Sequence, residues 1–460
     1  MEHLILAVLL CFWCVLLGFP RTYLTVLFFV APLHGLFVRV GLDLDFFKAG
    51  LLVSPLLALH GITWRPLRFI ARPLLLLATC AGLLFAWQFL SQEITEYDIL
   101  RQFDVDQRMA ISLLLWLSRL FLVVLIASLA RGLADVERWV GSYVAGVVLV
   151  CGYGLLQEGS FLLTGDPITG IFRDGLLGTS QDFSTVEFGG LQLLRVHSLS
   201  REPKDLALFC CPVIGWLISR MFIQRRTLKT YALACTVVLS AFLTFSSSLI
   251  MIFPAILVGA IPKKRRRYSW VLLATIVLAS APLFWRIAEV RVFERFLKGV
   301  DLLQESRERP ALQFVQDHVP RSLLGYGVGS QAFLLPAYMP VHYRQATYET
   351  SSLSGVDSLA VGLLVDLGVP GALLMLLIAM KVLRSPELKT SRGLPLRAAL
   401  WGSLVAAIPL NPDLRNAVLW LFLGVACALW FQERQSARRA GAWVFQRVAA
   451  EASAGRASSS

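Results

Sequence analysis

Charged residues are scarce in this chain. Only 16% of its 460 residues are Asp, Glu, Lys or Arg, whereas a soluble domain carries about 25%. The shortage is concentrated in long apolar runs, and the mean hydropathy is +0.67. These values exclude an ordinary water-soluble protein, and the runs are long enough to form helices that cross a lipid bilayer.

Several chemical motifs are also missing. The sequence has no Walker loop, no dinucleotide fingerprint and no His-Glu-x-x-His motif, so we expect no cofactor and no bound metal. The eight cysteines lie in or beside apolar runs, which argues against disulfide bonds and thiolate metal sites. An enzyme of this kind must act on a substrate that the membrane already holds.

The positive charge follows the connectors between apolar runs. The net charge is +13, and basic connectors at 65–72, 220–229 and 263–267 alternate with an acidic stretch at 91–109. This distribution is typical of topological anchoring and not of a nucleic-acid-binding face. The positive-inside rule puts the basic connectors and the C-terminal tail in the cytoplasm and the N-terminus outside.

The apolar runs predict an all-α polytopic membrane protein of about 12–13 transmembrane helices with one large periplasmic loop. Residues 229–261 form either one kinked helix or two short spans, and we interpret them as two spans joined near 246–248. Amphipathic stretches at 290–303 and 311–319 could lie on the membrane surface. The predicted divisions begin with an N-terminal transmembrane bundle at 1–287, which includes a shorter periplasmic loop at about 158–204. The large periplasmic loop at 288–355 and C-terminal transmembrane helices at 356–432 follow. The last division is a cytoplasmic tail at 433–460, which we expect to be disordered.

A first polar cluster precedes the span that begins near residue 205. Its three cations can hold a pyrophosphate group, because guanidinium and ammonium groups bind phosphate oxygens. The alternative is a solvated turn in which a Glu-Pro pair starts a helix. The cluster consists of Arg195, His197, Arg201, Glu202, Lys204 and Asp205.

A second cluster lies in the large loop, around the glycines at 325, 327 and 329. Such spacing lets backbone N–H groups approach an anion, although an ordinary tight turn has the same spacing. The polar residues around it are Arg307, Arg309, His318 and Arg321.

A third cluster lies where the large loop returns to the membrane. Asp357 is placed there, and Asp366, Gly368 and Gly371 follow within the apolar run. A carboxylate at this interface can bind or deprotonate an acceptor hydroxyl. The alternative is a polar helix cap, a position that suits both Asp357 and Ser358.

Taken together and in this order, the clusters resemble motifs of the O-antigen ligase/polymerase family of bacterial surface-polysaccharide enzymes. Residues 195–207 are similar to its Arg-x-x-(Gly/Ser)…(Asn/Glu)-Pro…Ala segment, and 324–329 are similar to its Gly-x-Gly-x-Gly turn. The ligases carry His-(Asn/Ser/Gln), nine residues and Gly-x-x-Gly. Here Asp357-Ser358, nine residues and Gly368-Val-Pro-Gly371 keep that spacing.

Two departures from the ligase pattern favour a polymerase. Asp357 replaces the ligase histidine, as in many of the related polymerases. A Thr-x-Ser-Arg element common in the mid-chain helix of the family appears as 244–248 without its arginine. The nearer alternative is a ligase that transfers finished glycan to a lipid or protein acceptor, and the more distant one is a transporter or lipid-linked glycan flippase.

The resemblance implies a GT-C-like, metal-independent membrane glycosyltransferase of the bacterial inner membrane. It would polymerise undecaprenyl-pyrophosphate-linked oligosaccharide repeat units in O-antigen or exopolysaccharide biosynthesis at the periplasmic face. Implied partners are the lipid-linked repeat units, the bilayer, a chain-length regulator and a flippase, with no nucleic acid. The implied catalytic residues are Asp357, Arg195 and Glu202, and the implied substrate-binding residues are Arg201, Lys204, Arg307, Arg309 and His318.

Overall fold

The structure is a computed structural model of the chain. It describes residues 2–33, 37–39, 43–60, 68–91, 105–166, 168, 185–188, 190–196, 198–200, 203–223, 227–246, 248–261, 285, 308–335, 338, 358–385, 387–410, 418–432 and 435.

Helices make up most of the described chain. The first nine are α1 (Glu2–Leu17), α2 (Pro20–Val30), α3 (Phe46–Val53), α4 (Arg68–Ser91), α5 (Val105–Leu129), α6 (Leu133–Thr164), α7 (Pro203–Ile223), α8 (Leu228–Leu243) and α9 (Leu249–Ala260). They are followed by α10 (Glu308–Asp317), α11 (Arg321–Leu324), α12 (Gln331–Leu334), α13 (Leu359–Leu383), α14 (Gly393–Leu410) and α15 (Val418–Gln432). Short 3-10 helices cover Ser54–His60 and Glu387–Lys389.

Two small antiparallel hairpins accompany the helices. Strand β1 (Phe37–Arg39) pairs with β2 (Asp43–Asp45), and β3 (Thr185–Phe188) pairs with β4 (Leu191–Leu194). Strand β1 of the first hairpin lies in the apolar stretch at 24–40, whose length predicts a single membrane span. Helix α2 ends at Val30, and Pro32 lacks the N–H that a continuing helix would need.

Five helices are long and apolar enough to cross a membrane: α4 (over Arg72–Ser91), α5, α6, α7 and α13. Shorter apolar helices include α8, α15 and parts of α1 and α14. The prediction of an α-helical protein with several membrane-spanning helices is therefore confirmed, whereas the predicted number of about 12–13 spans stays a prediction. The apolar stretch at 269–287, whose length also predicts a span, lies outside the described residues except for Trp285.

Residues 229–261 form two helices, as the sequence analysis proposed. Helix α8 ends at Leu243 and α9 begins at Leu249. Between them, Phe245 has a φ of +47°, and the Ser246 N–H donates to the Thr244 hydroxyl oxygen at 3.3 Å. The break therefore includes a defined turn at 244–246 and is not a bend within one helix.

Close backbone contacts hold the bundle together. A Cβ added to Gly215 of α7 would lie 2.5 Å from the Ala398 carbonyl oxygen, and one added to Gly402 of α14 would lie 2.7 Å from the Cys211 carbonyl oxygen. Small residues of this kind let helices pack backbone to backbone where hydrophobic burial is weak. Helix α15 lies at the centre of the bundle, since residues 418–430 are all buried.

The direction of α5 and α6 defines one side of the bundle. Both helices are long enough to cross a membrane, and only residues 130–132 connect them. Two candidate spans with so short a connection run in opposite directions, which places the start of α5 and the end of α6 on the same side. We call this the loop side, because the turn at 325–329 packs against the first turns of α5 there.

Candidate functional site

Residues 194–196 and 198–200, which we call the Arg195 segment, form non-helical backbone inside the bundle. Leu194 and Val196 are fully buried, and Ser198 and Ser200 are nearly so. Buried backbone groups need hydrogen-bond partners, and here the neighbouring helices supply them. The segment is therefore part of the bundle and not an external connector, which makes it a candidate for function.

Helix α6 forms one wall of this segment. The Leu194 N–H donates to Glu158 Oε2 at 3.0 Å, and the Ser198 hydroxyl donates to the Val150 carbonyl oxygen. Between these anchors, a Cβ added to Gly154 would lie 2.5 Å from Val196 Cγ1. The segment consequently runs against the last turns of α6 at backbone distance.

The end of α8 forms the opposite wall. The Val196 N–H donates to the Leu243 carbonyl oxygen at 3.0 Å, and Arg195 Nε donates to the Thr244 carbonyl oxygen at 3.4 Å. The half-buried Arg195 side chain therefore lies at the turn between α8 and α9. This contact joins two of the sequence motifs, which are 49 residues apart in the chain.

The rest of the first cluster is described only in part. Helix α7 begins at Pro203, so the half-buried Lys204 stands in its first turn, followed by Asp205. The alternative interpretation placed a helix start at the Glu-Pro pair, and α7 does begin at Pro203. This helix start does not exclude a binding role for Arg195 and Lys204. His197, Arg201 and Glu202 lie outside the described residues.

The second cluster centres on the glycine turn, residues 325–329. Its three glycines have φ values of +88°, +101° and +89°, a region that residues with a side chain rarely adopt. The turn packs on helix α13, which is kinked at Gly368. The Tyr326 N–H donates to the Val365 carbonyl oxygen at 2.9 Å, and the Gly327 N–H donates to that of Asp366 at 2.7 Å.

The kink explains why these carbonyls accept bonds from the turn. In a continuous helix the Asp366 carbonyl would accept from residue 370, which is a proline and has no N–H. The N–H groups of Tyr326 and Gly327 are thus used within the protein. Of the two interpretations of the glycine spacing, these bonds favour the ordinary tight turn over a backbone site for an anion.

The Asp366 carboxylate fastens the same turn. It accepts from Gly329 N at 3.1 Å, Ser330 Oγ at 3.1 Å, Gln331 N at 3.3 Å and Gln331 Nε2 at 3.5 Å. Asp366 is only 1% exposed. A buried carboxylate with this many donors holds structure, and here it ties α12 and the glycine turn to α13.

The polar residues around the turn have local partners. Arg321 Nη1 donates to the Gly325 carbonyl oxygen at 2.6 Å, and its guanidinium lies 4.7 Å from the centre of the Tyr326 ring. His318 stacks on Phe314 with ring centres 4.5 Å apart. Arg309 is exposed on α10, and no contact described in the structure joins it or His318 to Arg195. Arg307 lies outside the described residues.

The third cluster begins with a helix cap. Helix α13 starts at Leu359, and the Ser358 hydroxyl oxygen accepts from the Val361 N–H at 3.5 Å. The capping alternative is therefore realised by Ser358. Asp357 lies outside the described residues, so its proposed catalytic role stays a prediction.

Two buried ionisable residues were missed by the sequence analysis. Glu158 is 5% exposed and was placed at the beginning of a loop, whereas α6 continues to Thr164. Arg119 is fully buried within α5. A single arginine inside an apolar run is a functional signal in membrane proteins, so Arg119 could have been found, but no local pattern marked Glu158.

The Arg195 segment is a better candidate site than the glycine turn, whose polar groups have partners within the protein. Arg195 is half-buried and bonded at the end of α8, and a second half-buried cation, Lys204, lies in the first turn of α7. Cations withdrawn from bulk water interact strongly with phosphate oxygens. No protein-family model matches this chain, and no curated protein matches it.

Proposed function

We propose that the chain is a membrane glycosyltransferase that polymerises undecaprenyl-pyrophosphate-linked oligosaccharide repeat units at the periplasmic face of the bacterial inner membrane. The observation that carries the proposal is the position of Arg195, a half-buried cation bonded to the Thr244 carbonyl inside the bundle. The loop side is then the periplasmic side, in agreement with the positive-inside rule.

The proposed reaction needs cations at the leaving group. The oxygen of an acceptor hydroxyl forms a bond to the anomeric carbon of the growing chain, and the bond from that carbon to the lipid pyrophosphate breaks. The electron pair leaves with the pyrophosphate, and the hydroxyl proton passes to a base. Each preorganised group that binds the developing charge contributes about 3–4 kcal/mol. Arg195 and Lys204 are the described candidates, and Arg201 is a third by resemblance.

The depth of the Arg195 segment suits a lipid head group. At 32 residues, α6 is about 48 Å long, compared with a hydrocarbon core of about 30 Å. Its last turns therefore extend beyond the hydrocarbon if its first turn begins at the opposite surface. Leu194 is bonded to one of these last turns through Glu158, at the level where a pyrophosphate would lie.

The resemblance supplies the remaining roles. Asp357 is our candidate to bind or deprotonate the acceptor hydroxyl, with Glu202 and His318 as rivals. The glycine turn fixes the part of α13 around Val365 and Asp366, the helix that follows residue 357 in the chain. Arg309 is exposed on α10, which leaves it accessible to a glycan chain.

A transporter or flippase is the second candidate, and specific observations favour it. Helix α13 is broken at Gly368 beside the buried Asp366, and Arg119 is buried within a candidate span. Broken helices and buried charges are typical of transporters. A ligase, the third possibility, would share the polymerase chemistry and differ in its acceptor.

Glycan profiling of a deletion strain separates these functions. Loss of a polymerase leaves single repeat units on the cell surface, loss of a ligase accumulates lipid-linked polymer, and loss of a flippase retains single lipid-linked units on the cytoplasmic side. Complementation with wild type, Arg195→Ala and Arg220→Ala provides the controls, because Arg220 lies in the last turn of α7, far from Arg195. Normal polymer length in the deletion strain would rule out the proposal.

A further inference from the structure

Glu158 is a buried carboxylate that the proposed reaction does not use. It is 5% exposed, and its Oε1 has no hydrogen-bond partner among the described residues. Its Oε2 accepts the Leu194 N–H at 3.0 Å. Burying a carboxylate oxygen without a donor is unfavourable. The one hydrogen bond described for Glu158, to the Leu194 N–H, therefore indicates what this side chain contributes.

The bond to Leu194 lies immediately before Arg195. The Leu194 N–H donates to Glu158. The side chain of the next residue, Arg195, donates to the Thr244 carbonyl oxygen. The other end of the segment is held by the Ser198 hydroxyl on the Val150 carbonyl. Arg195 therefore lies between two hydrogen bonds that attach its segment to α6. The bond on its N-terminal side uses the Glu158 side chain, and the bond on its C-terminal side uses the Val150 backbone.

We propose that Glu158 is a positioning residue that sets the location of the Arg195 guanidinium. This inference rests on the proposed function, because it assigns Arg195 to the leaving group. Removing the Glu158 acceptor releases the Leu194 N–H from α6, while the pairing of β4 with β3 and the contacts of Val196 and Ser198 remain. A cation displaced by about 1 Å from its productive position lowers a catalysed rate by as much as about 100-fold.

Substitutions at Glu158 separate positioning from chemistry. Glu158→Gln keeps an oxygen that accepts from Leu194, so we expect activity within about 3-fold of wild type. Glu158→Ala removes the acceptor and should lower kcat by about 10–100-fold. Asp166→Ala is the matched control, because this exposed carboxylate lies just beyond the same helix and its described hydrogen bonds use its backbone.

A double variant tests whether Glu158 acts through Arg195. In an Arg195→Ala background, Glu158→Ala should lower activity by less than about 2-fold further, since coupled residues are not additive. Full additivity in the double variant would overturn the inference. A Glu158→Gln variant as impaired as Glu158→Ala would also overturn it, because the reaction would then need the carboxylate itself.

Hydrogen exchange gives a readout that does not depend on activity. Peptides containing Leu194 should exchange faster in Glu158→Ala than in wild type or Glu158→Gln, and unchanged exchange would overturn the inference. If wild-type protein elongates no glycan, the proposed function fails while this measurement still decides whether Glu158 holds the segment. Glu158→Met, which fills a similar volume without an acceptor, replaces Glu158→Ala if that variant does not fold.

Discussion

Gly325 and Gly368 lie backbone against backbone. A Cβ added to Gly325 would lie 2.5 Å from the Gly368 amide nitrogen, and a Cβ added to Gly368 would lie 2.7 Å from the Gly325 amide nitrogen. Both residues also have positive φ, +88° and +65°. The contact joins the glycine turn of the large loop to the kink of α13 and leaves no room for a side chain on either residue.

Alanine at Gly368 is expected to separate the glycine turn from α13. The positive φ alone costs about 1–3 kcal/mol, and the added Cβ would also meet the Leu323 carbonyl oxygen at 2.3 Å. We predict a lower thermal midpoint in detergent and a loss of polymer formation. Gly82→Ala in α4 is the control, since nothing lies within 4 Å of its added Cβ. Equal midpoints for the two variants would contradict the contact.

Asp366→Asn tests the carboxylate that fastens the glycine turn. Asparagine keeps one acceptor oxygen, but its NH2 group would face donors from Gly329 or Gln331. Because hydrogen bonds to charged groups contribute about 1.5–3 kcal/mol each, we expect a destabilisation of at least that size, measured by thermal unfolding. Asp106→Asn, at an exposed position in the first turn of α5, should change the midpoint little. A stable, fully active Asp366→Asn protein would show that the network is dispensable.

Gly154→Ala tests the packing of the Arg195 segment on α6. The added Cβ would lie 2.5 Å from Val196 Cγ1 and 3.2 Å from Ser198 Cβ, so the segment must shift away from the helix. We expect at least a 10-fold loss of activity, by the same displacement argument as for Glu158. Gly152→Ala lies on the same helix with open space around its added Cβ and should remain active. Similar activities of both variants would argue against a fixed segment.

The predictable part of the fold follows from local hydropathy. Apolar runs marked the long helices α4, α5, α6, α7 and α13, because a bilayer requires about 20 apolar residues for each span. The break between α8 and α9 also followed from the sequence, since the basic clusters on either side of 229–261 had to share one face of the membrane. Both inferences need only the hydropathy and charge of successive segments of the chain, without any tertiary contact.

The contacts of the sites were not predictable in this way. Glu158 and Leu194 are 36 residues apart, and hydropathy falls before α6 ends, so the helix was predicted to stop too early. The glycines at 325–329 and Gly368 were recognised separately, but their contact with each other is a tertiary one. The amphipathic pattern at 311–319 suggested a helix that could lie on the membrane surface. Ala311 and Phe314 are instead buried in a cluster with Tyr326 and Val365, since amphipathicity shows that a helix has a partner but does not identify it.

The most direct test of the proposed function is elongation by the purified protein. Wild type, Arg195→Ala, Arg195→Lys and Arg220→Ala would be reconstituted in liposomes with undecaprenyl-pyrophosphate-linked repeat units, and products would be separated by length. We predict long glycan chains for wild type and Arg220→Ala, partial elongation for Arg195→Lys, and a rate about 100–1,000-fold lower for Arg195→Ala. Wild-type elongation by Arg195→Ala, or no elongation by wild type, would contradict the account.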